Sequence, residues 1–150
     1  MRLTRYTDYA LRVLIYLAAK PDSQYSIGEI TRAYGGSRNH LMKVVNDLVT
    51  AGFLVSVRGR FGGVKLARPA CDINVGAVVR HTERSFELID CTSCVIAPAC
   101  GVTGALKKAL AAFIGTLDTY TLADLSTNRA QLASLLAIKA ESVEAKETAT

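Results

Sequence analysis

Two helix-start signals, a double glycine and a glycine-rich hairpin follow one another between residues 26 and 67, and this order constrains the fold more than any other feature of the chain. Ser26-Ile27-Gly28-Glu29 has the spacing of a capping box, in which each side chain satisfies a backbone N–H left unpaired at a helix start. The helix it opens runs to Tyr34 and stops at Gly35-Gly36. Ser37 caps the next helix, whose inward face is Leu41, Val44, Val45, Leu48 and Val49 and whose end is Gly52. Residues 53–58 and 64–67 then read as short strands around Gly59-Arg60-Phe61-Gly62-Gly63, a hairpin loop with a basic flank.

Upstream, Leu11, Leu14, Ile15 and Ala18 recur at helical spacing over residues 7–20, and Pro21 stops that helix. Downstream, Asn74 caps a helix through Val75, Val78, Val79 and Thr82, after which periodicity fails from Ser85 to Gly101. Val102, Leu106, Ala109, Phe113 and Tyr120, widened by Leu110 and Leu117, then form the stripe of a long helix that packs on another. Periodicity does not say whether that partner is a second copy or the chain's own core. The stretch from Ala140, rich in Glu, Lys, Thr and Ala, is expected to fray.

The expected fold is mainly α with a small β wing: a winged helix-turn-helix plus a long dimerisation helix. Residues 1–84 form the DNA-binding domain, 85–101 a cysteine loop, 102–125 the dimerisation helix with a short helix after it, and 126–150 a C-terminal segment with a disordered tail. The longest uncharged apolar run, residues 13–19, is too short to cross a bilayer, and the N-terminal stretch lacks a signal-peptide pattern, so no membrane partner and a cytoplasmic location are expected.

Charge is unevenly placed. Residues 1–80 hold twelve Lys and Arg against five Asp and Glu, a net of +7, whereas residues 81–150 are at −2. A basic half attracts a polyanion, although charge alone also fits a merely soluble basic domain. The helix order favours double-stranded DNA: Ser37, Arg38, Asn39, His40 and Lys43 lie on the outward side of the third helix, the one that enters the major groove in this architecture. Arg and Asn suit base edges, and Ser and Lys suit phosphates. Arg58, Arg60 and Lys65 bracket the wing glycines, and Arg60 suits the negative potential of a narrow minor groove.

Cys91, Cys94 and Cys100 place three thiols within ten residues of irregular backbone. A disulfide framework does not suit a reducing compartment, and a thioredoxin-like pair expects a βα context that is lacking here. Three readings stay open: an iron-sulfur cluster, which tolerates one non-cysteine ligand; a zinc site, which wants a fourth closed ligand; and plain redox thiols. Cys71, after Pro69, is read as a buried spectator. An enzyme is not expected: His40 and His81 are far apart in sequence, and no paired carboxylates or phosphate-binding loop accompany the thiols.

The segments MRLTRYTDYALRVLIYLA, VRGRFGGVKLARPA, APAC and YTLADL, together with the three cysteines, resemble the winged-helix iron-sulfur regulators that include IscR, and within them the NsrR-like nitric-oxide-sensing branch, over residues 1–125. The resemblance implies a homodimer joined by the long helix and bound to an inverted-repeat operator. It implies a repressor whose cluster, 2Fe–2S or 4Fe–4S, is held by Cys91, Cys94 and Cys100 and destroyed by nitric oxide. It also assigns the segment from Ser37 to Lys43 to the major groove and Arg58 or Arg60 to the wing. The same fold also serves iron or cluster-status repressors. The first two cysteines stand closer here than is usual in these regulators, and the histidine that IscR-like proteins use after the third cysteine is missing. The fourth ligand is then Asp8, reaching the cluster of the other subunit, or His81, Cys71 or a small molecule.

Overall fold

The computed structural model describes residues 2–21 and 23–137, so the fraying expected from residue 140 falls outside the described residues. Thr4 opens α1 (Arg5–Ala19) by accepting a hydrogen bond from the Thr7 backbone at 3.3 Å. The buried face of α1 is Ala10, Val13, Leu14, Leu17 and Ala18, while Leu11 and Ile15 of the expected stripe are only half-buried. Every position from Ala10 to Ala19 except Arg12 is apolar or aromatic, so two helical stripes overlap and spacing alone does not choose between them.

α2 (Ile27–Tyr34) starts with both halves of the expected box: Ser26 Oγ accepts from Glu29 N at 3.2 Å, and Glu29 Oε2 accepts from Ser26 N at 2.7 Å. Gly35, at φ 67°, ends the helix in a left-handed conformation that a Cβ would strain. α3 (Arg38–Thr50) begins at the Ser37 cap and buries Leu41, Val44, Val45 and Leu48 as expected, with Val49 half-buried. Strands β1 (Leu54–Val57) and β2 (Gly63–Leu66) pair antiparallel, from Leu54 opposite Leu66 to Val57 opposite Gly63.

Tyr25 adds a bridge to Val64 from the segment before α2, with hydrogen bonds of 3.0 and 2.9 Å. That contact was not legible in the sequence, because one residue shows no period. Gly63 permits it, since a Cβ there would sit 2.5 Å from the Tyr25 carbonyl oxygen.

Asn74 caps α4 (Val75–Thr82) through a 2.9 Å bond from Ala77 N. After the cysteine loop come α5 (Val102–Asp118), α6 (Leu122–Leu125) and a helix over residues 129–137. Leu14 and Leu17 of α1, Leu41 and Leu48 of α3, Ile30, Leu54, Ile73 and Val78 form one core. Each fully buried leucine contributes about 1.5–3 kcal/mol relative to exposure.

Leu122 and Leu136 join the same core. Leu122 N donates to Ile73 O at 2.8 Å and Val75 N to Tyr120 O at 3.0 Å. The chain after α5 therefore returns to the body formed by α1 to α4, a contact that crosses the boundaries drawn from sequence.

α5 itself buries no residue, although ten of its seventeen are apolar. Its half-buried side is Leu106, Leu110, Phe113, Ile114 and Leu117, which leans towards α4; Val102 and Ala109 of the expected stripe are exposed. Tyr120 does not belong to the helix, which ends at Asp118, where the Asp118 carbonyl accepts from Asn74 Nδ2 at 2.7 Å and its carboxylate pairs with Arg80.

Candidate nucleic-acid interface and cysteine loop

Arg38, Asn39, Met42, Lys43 and Asn46 are exposed on α3, opposite its buried leucine and valine face, and Ser37 is exposed at the cap. The one acid of this helix, Asp47, is turned away from that face: its Oδ2 lies 3.0 Å from His81 Nε2 of α4. The outward face of α3 is thus free of negative charge. Sequence reasoning missed Met42 and Asn46; the same 3.6-residue spacing that placed Lys43 outward also places them there.

His40 departs from its expected place beside them. Its ring packs against Tyr9, centroids 5.0 Å apart, and Tyr6, at 6.1 Å, and its Nε2 is buried without a hydrogen-bond partner. Two tyrosines one turn apart on α1 form a slot that the start of α3 fills, so His40 fastens α3 to α1 instead of pointing into solvent. Tyr6 also donates to Lys43 O at 3.5 Å, and burial together with neighbouring Asp47 pushes its phenol up to about 12.

Arg58, Arg60, Phe61 and Lys65 are exposed on the wing. The Arg60 guanidinium lies 5.8 Å from the Phe61 ring centroid, and Gln24 Nε2 donates to Phe61 O at 3.0 Å, tying the wing tip to the segment before α2. The wing therefore carries its cations beyond the outward face of the hairpin without an acid among residues 53–68.

Cys91 and Cys100 are half-buried, Cys94 is exposed, and none is in a disulfide. Successive three-residue turns shape the loop: Cys94 N to Cys91 O at 3.3 Å, Ala97 N to Cys94 O at 3.1 Å and Cys100 N to Ala97 O at 3.4 Å. Cys91 Sγ is 3.5 Å from Thr103 Oγ1, and the hydroxyl and backbone N–H of Thr92 hold the Asp90 carboxyl below the usual carboxylate range. Among the described residues no three Cys, His, Asp or Glu side chains converge on one point. The donor set nevertheless fits a soft-metal group: three thiols outside any disulfide, on one ten-residue segment outside the core.

The other expected donors are elsewhere. Asp8 is bound by Arg12 Nε at 2.8 Å on its own helix, His81 faces Asp47, and Cys71 is exposed beside Asp72, not buried. Cys71 sits on a short turn, residues 70–72, that sends Ile73 into the core and leaves the thiol outside.

A helix-turn-helix with a basic wing and a thiol loop outside its core defines a DNA-binding transcription regulator. The chain belongs to the Rrf2 family of iron-dependent transcriptional regulators, whose model matches residues 3–128. It is 46% identical over 145 residues, 93% of this chain and 99% of the other, to the HTH-type transcriptional regulator NsrR of Bacillus subtilis. Among solved structures it is similar to IscR of T. potens, with TM-score 0.71 and 26% identity over 85% of this chain and 88% of that one. It is similar also to the oxidized form of CymR from Staphylococcus aureus, with TM-score 0.68 and 30% identity over 84% and 96%. Among the described residues no helix is long and apolar enough to cross a membrane.

Proposed function

We propose that this chain is a homodimeric repressor that binds an inverted-repeat operator, with α3 in the major groove and the wing at the minor groove, and that nitric oxide lifts the repression. The observation that carries the reading is the joint presence of an acid-free α3 face and a three-thiol loop in a chain 46% identical to NsrR. Arg38 and Asn39 present bidentate groups to base edges; Ser37, Lys43, Arg58 and Lys65 hold phosphates, and Arg60 enters the minor groove. The apolar, uncovered α5 supplies the surface for a second copy.

Cys91, Cys94 and Cys100 would hold an iron-sulfur cluster as thiolates, and Asp8 of the partner subunit would complete the ligand set. When bound, such a cluster supplies iron that nitric oxide attacks. Glu83 and His81, just before the loop, bond to α1 and α3 respectively, so the segment that leads into the thiol loop is joined to both helices.

Anaerobic purification with an absorption spectrum, an iron and sulfide count, and operator binding before and after nitric oxide tests the reading. The protein should be coloured, lose affinity with nitric oxide, and in Cys94→Ser lose iron and operator binding together. A colourless protein with one zinc per chain, equally active with and without nitric oxide, would overturn it. A response to iron depletion without one to nitric oxide would assign it to iron supply.

A further inference from the structure

We infer that Met42 reads the C5-methyl group of thymine in the major groove and is a specificity-determining residue of α3. Met42 is 42% exposed and is the one large apolar side chain that α3 leaves outside among the described residues, although its neighbours Leu41 and Val44 are buried. With 3.6 residues per turn, the exposed side chains between Arg38 and Asn46 follow one another over an arc of about 140° in the order Arg38, Met42, Asn46, Asn39, Lys43. The single thioether thus stands inside a row of amides and cations, on the face that carries no acid.

The four polar neighbours are matched by phosphate oxygens and base edges, whereas Met42 donates no hydrogen bond and accepts only weakly. The apolar group on a major-groove edge is the thymine methyl, which the minor groove does not display. An unbranched side chain with a polarizable sulfur adapts its rotamers to reach such a group without moving the helix. Covering Met42 and one methyl removes apolar surface from water on both sides, an energy that cytosine and deoxyuridine at the same position do not return. The inference rests on the proposed placement of α3 in the major groove.

The test uses full-length, iron-loaded protein and operators selected from random duplexes. Each thymine of a half-site is replaced in turn by deoxyuridine, which removes the methyl and nothing else. At one position per half-site, wild-type affinity should fall about fourfold, the factor for one buried methyl, while Met42→Ala binds the thymine and deoxyuridine duplexes equally. Met42→Ala should keep the wild-type melting temperature, because the core does not use the side chain. Two results overturn the inference: no thymine methyl that matters to the wild type, or the same deoxyuridine penalty in Met42→Ala. Arg38→Ala and Lys43→Ala separate the two levels. If both lose affinity while the deoxyuridine series is flat, the Met42 inference alone is wrong; if both bind like wild type, the groove placement of α3 fails with it.

Discussion

The Thr7 hydroxyl donates a 2.6 Å hydrogen bond to the Glu83 carboxylate, joining the first turn of α1 to the residue that leads from α4 into the cysteine loop. The same oxygen accepts from Thr4 N at 2.7 Å and from Thr4 Oγ1 at 3.1 Å, so one carboxylate serves a helix start where negative charge is favoured. Thr7 is fully buried, and loss of the Glu83 acceptor leaves its hydroxyl with Thr4 Oγ1, 3.1 Å away, as its remaining polar neighbour.

Glu83→Ala should therefore lower stability by about 1–3 kcal/mol, read from urea unfolding. A double-mutant cycle with Thr7→Val should show strong coupling. Additive losses would mean that the contact carries little energy.

Operator binding should weaken steeply with salt. Lys43→Ala and Arg60→Ala should each reduce the slope of log affinity against log salt by about 1, because each removes one phosphate or groove cation. Both side chains are exposed, so neither change should unfold the protein. A slope unaltered in Arg60→Ala would take the wing tip out of the interface.

Three tyrosines should titrate late. Burial pushes Tyr6, Tyr16 and Tyr34 up to about 12, above the ordinary value of 10.0. The folded chain then keeps protons that the unfolded chain has released, so this contribution is complete below pH 10 and is lost as pH rises towards 12. Tyrosinate absorbance followed beside circular dichroism should show these phenols ionising together with unfolding. Their ionisation in a still-folded chain at pH 10 would contradict the burial argument.

Asp8→Ala separates two roles of one carboxylate. Loss of its exposed pair with Arg12 and of its place in the first turn of α1 should cost only about 0.3–1 kcal/mol. As a ligand to the partner's cluster, Asp8 should in addition shift the absorption spectrum and the rate of reaction with nitric oxide, with iron still held by thiolates. An unchanged spectrum confines Asp8 to the helix pair.

The caps and glycine turns were legible because their chemistry is local: Ser26, Glu29, Ser37 and Asn74 bond within three residues of themselves. The outward row of α3 was legible in part, since its inward leucines and valines fix the opposite side. His40 was not, because the slot that takes its ring is made by Tyr6 and Tyr9, more than thirty residues away. The Tyr25 bridge and the return of Leu122 are long-range in the same sense. α1 was misphased for another reason: its sequence is so apolar that nothing in it marks the buried side. The cysteine spacing pointed to soft-metal chemistry, yet spacing holds no information on how three thiols converge.

Because Leu122 and its neighbours pack back on Ile73 and α1, the cysteine loop and α5 form an excursion that leaves and re-enters a single folding unit. A protease cut between residues 85 and 101 would leave both fragments gripped by the same hydrophobic interior, a nicked protein and not a severed one. The excursion is also tethered at two points, by Glu83 at its exit and by the Asn74–Thr121 bridge at its return. A tug on the loop is consequently shared between the start of α1 and the start of α4, as a load on an arch is carried by both footings.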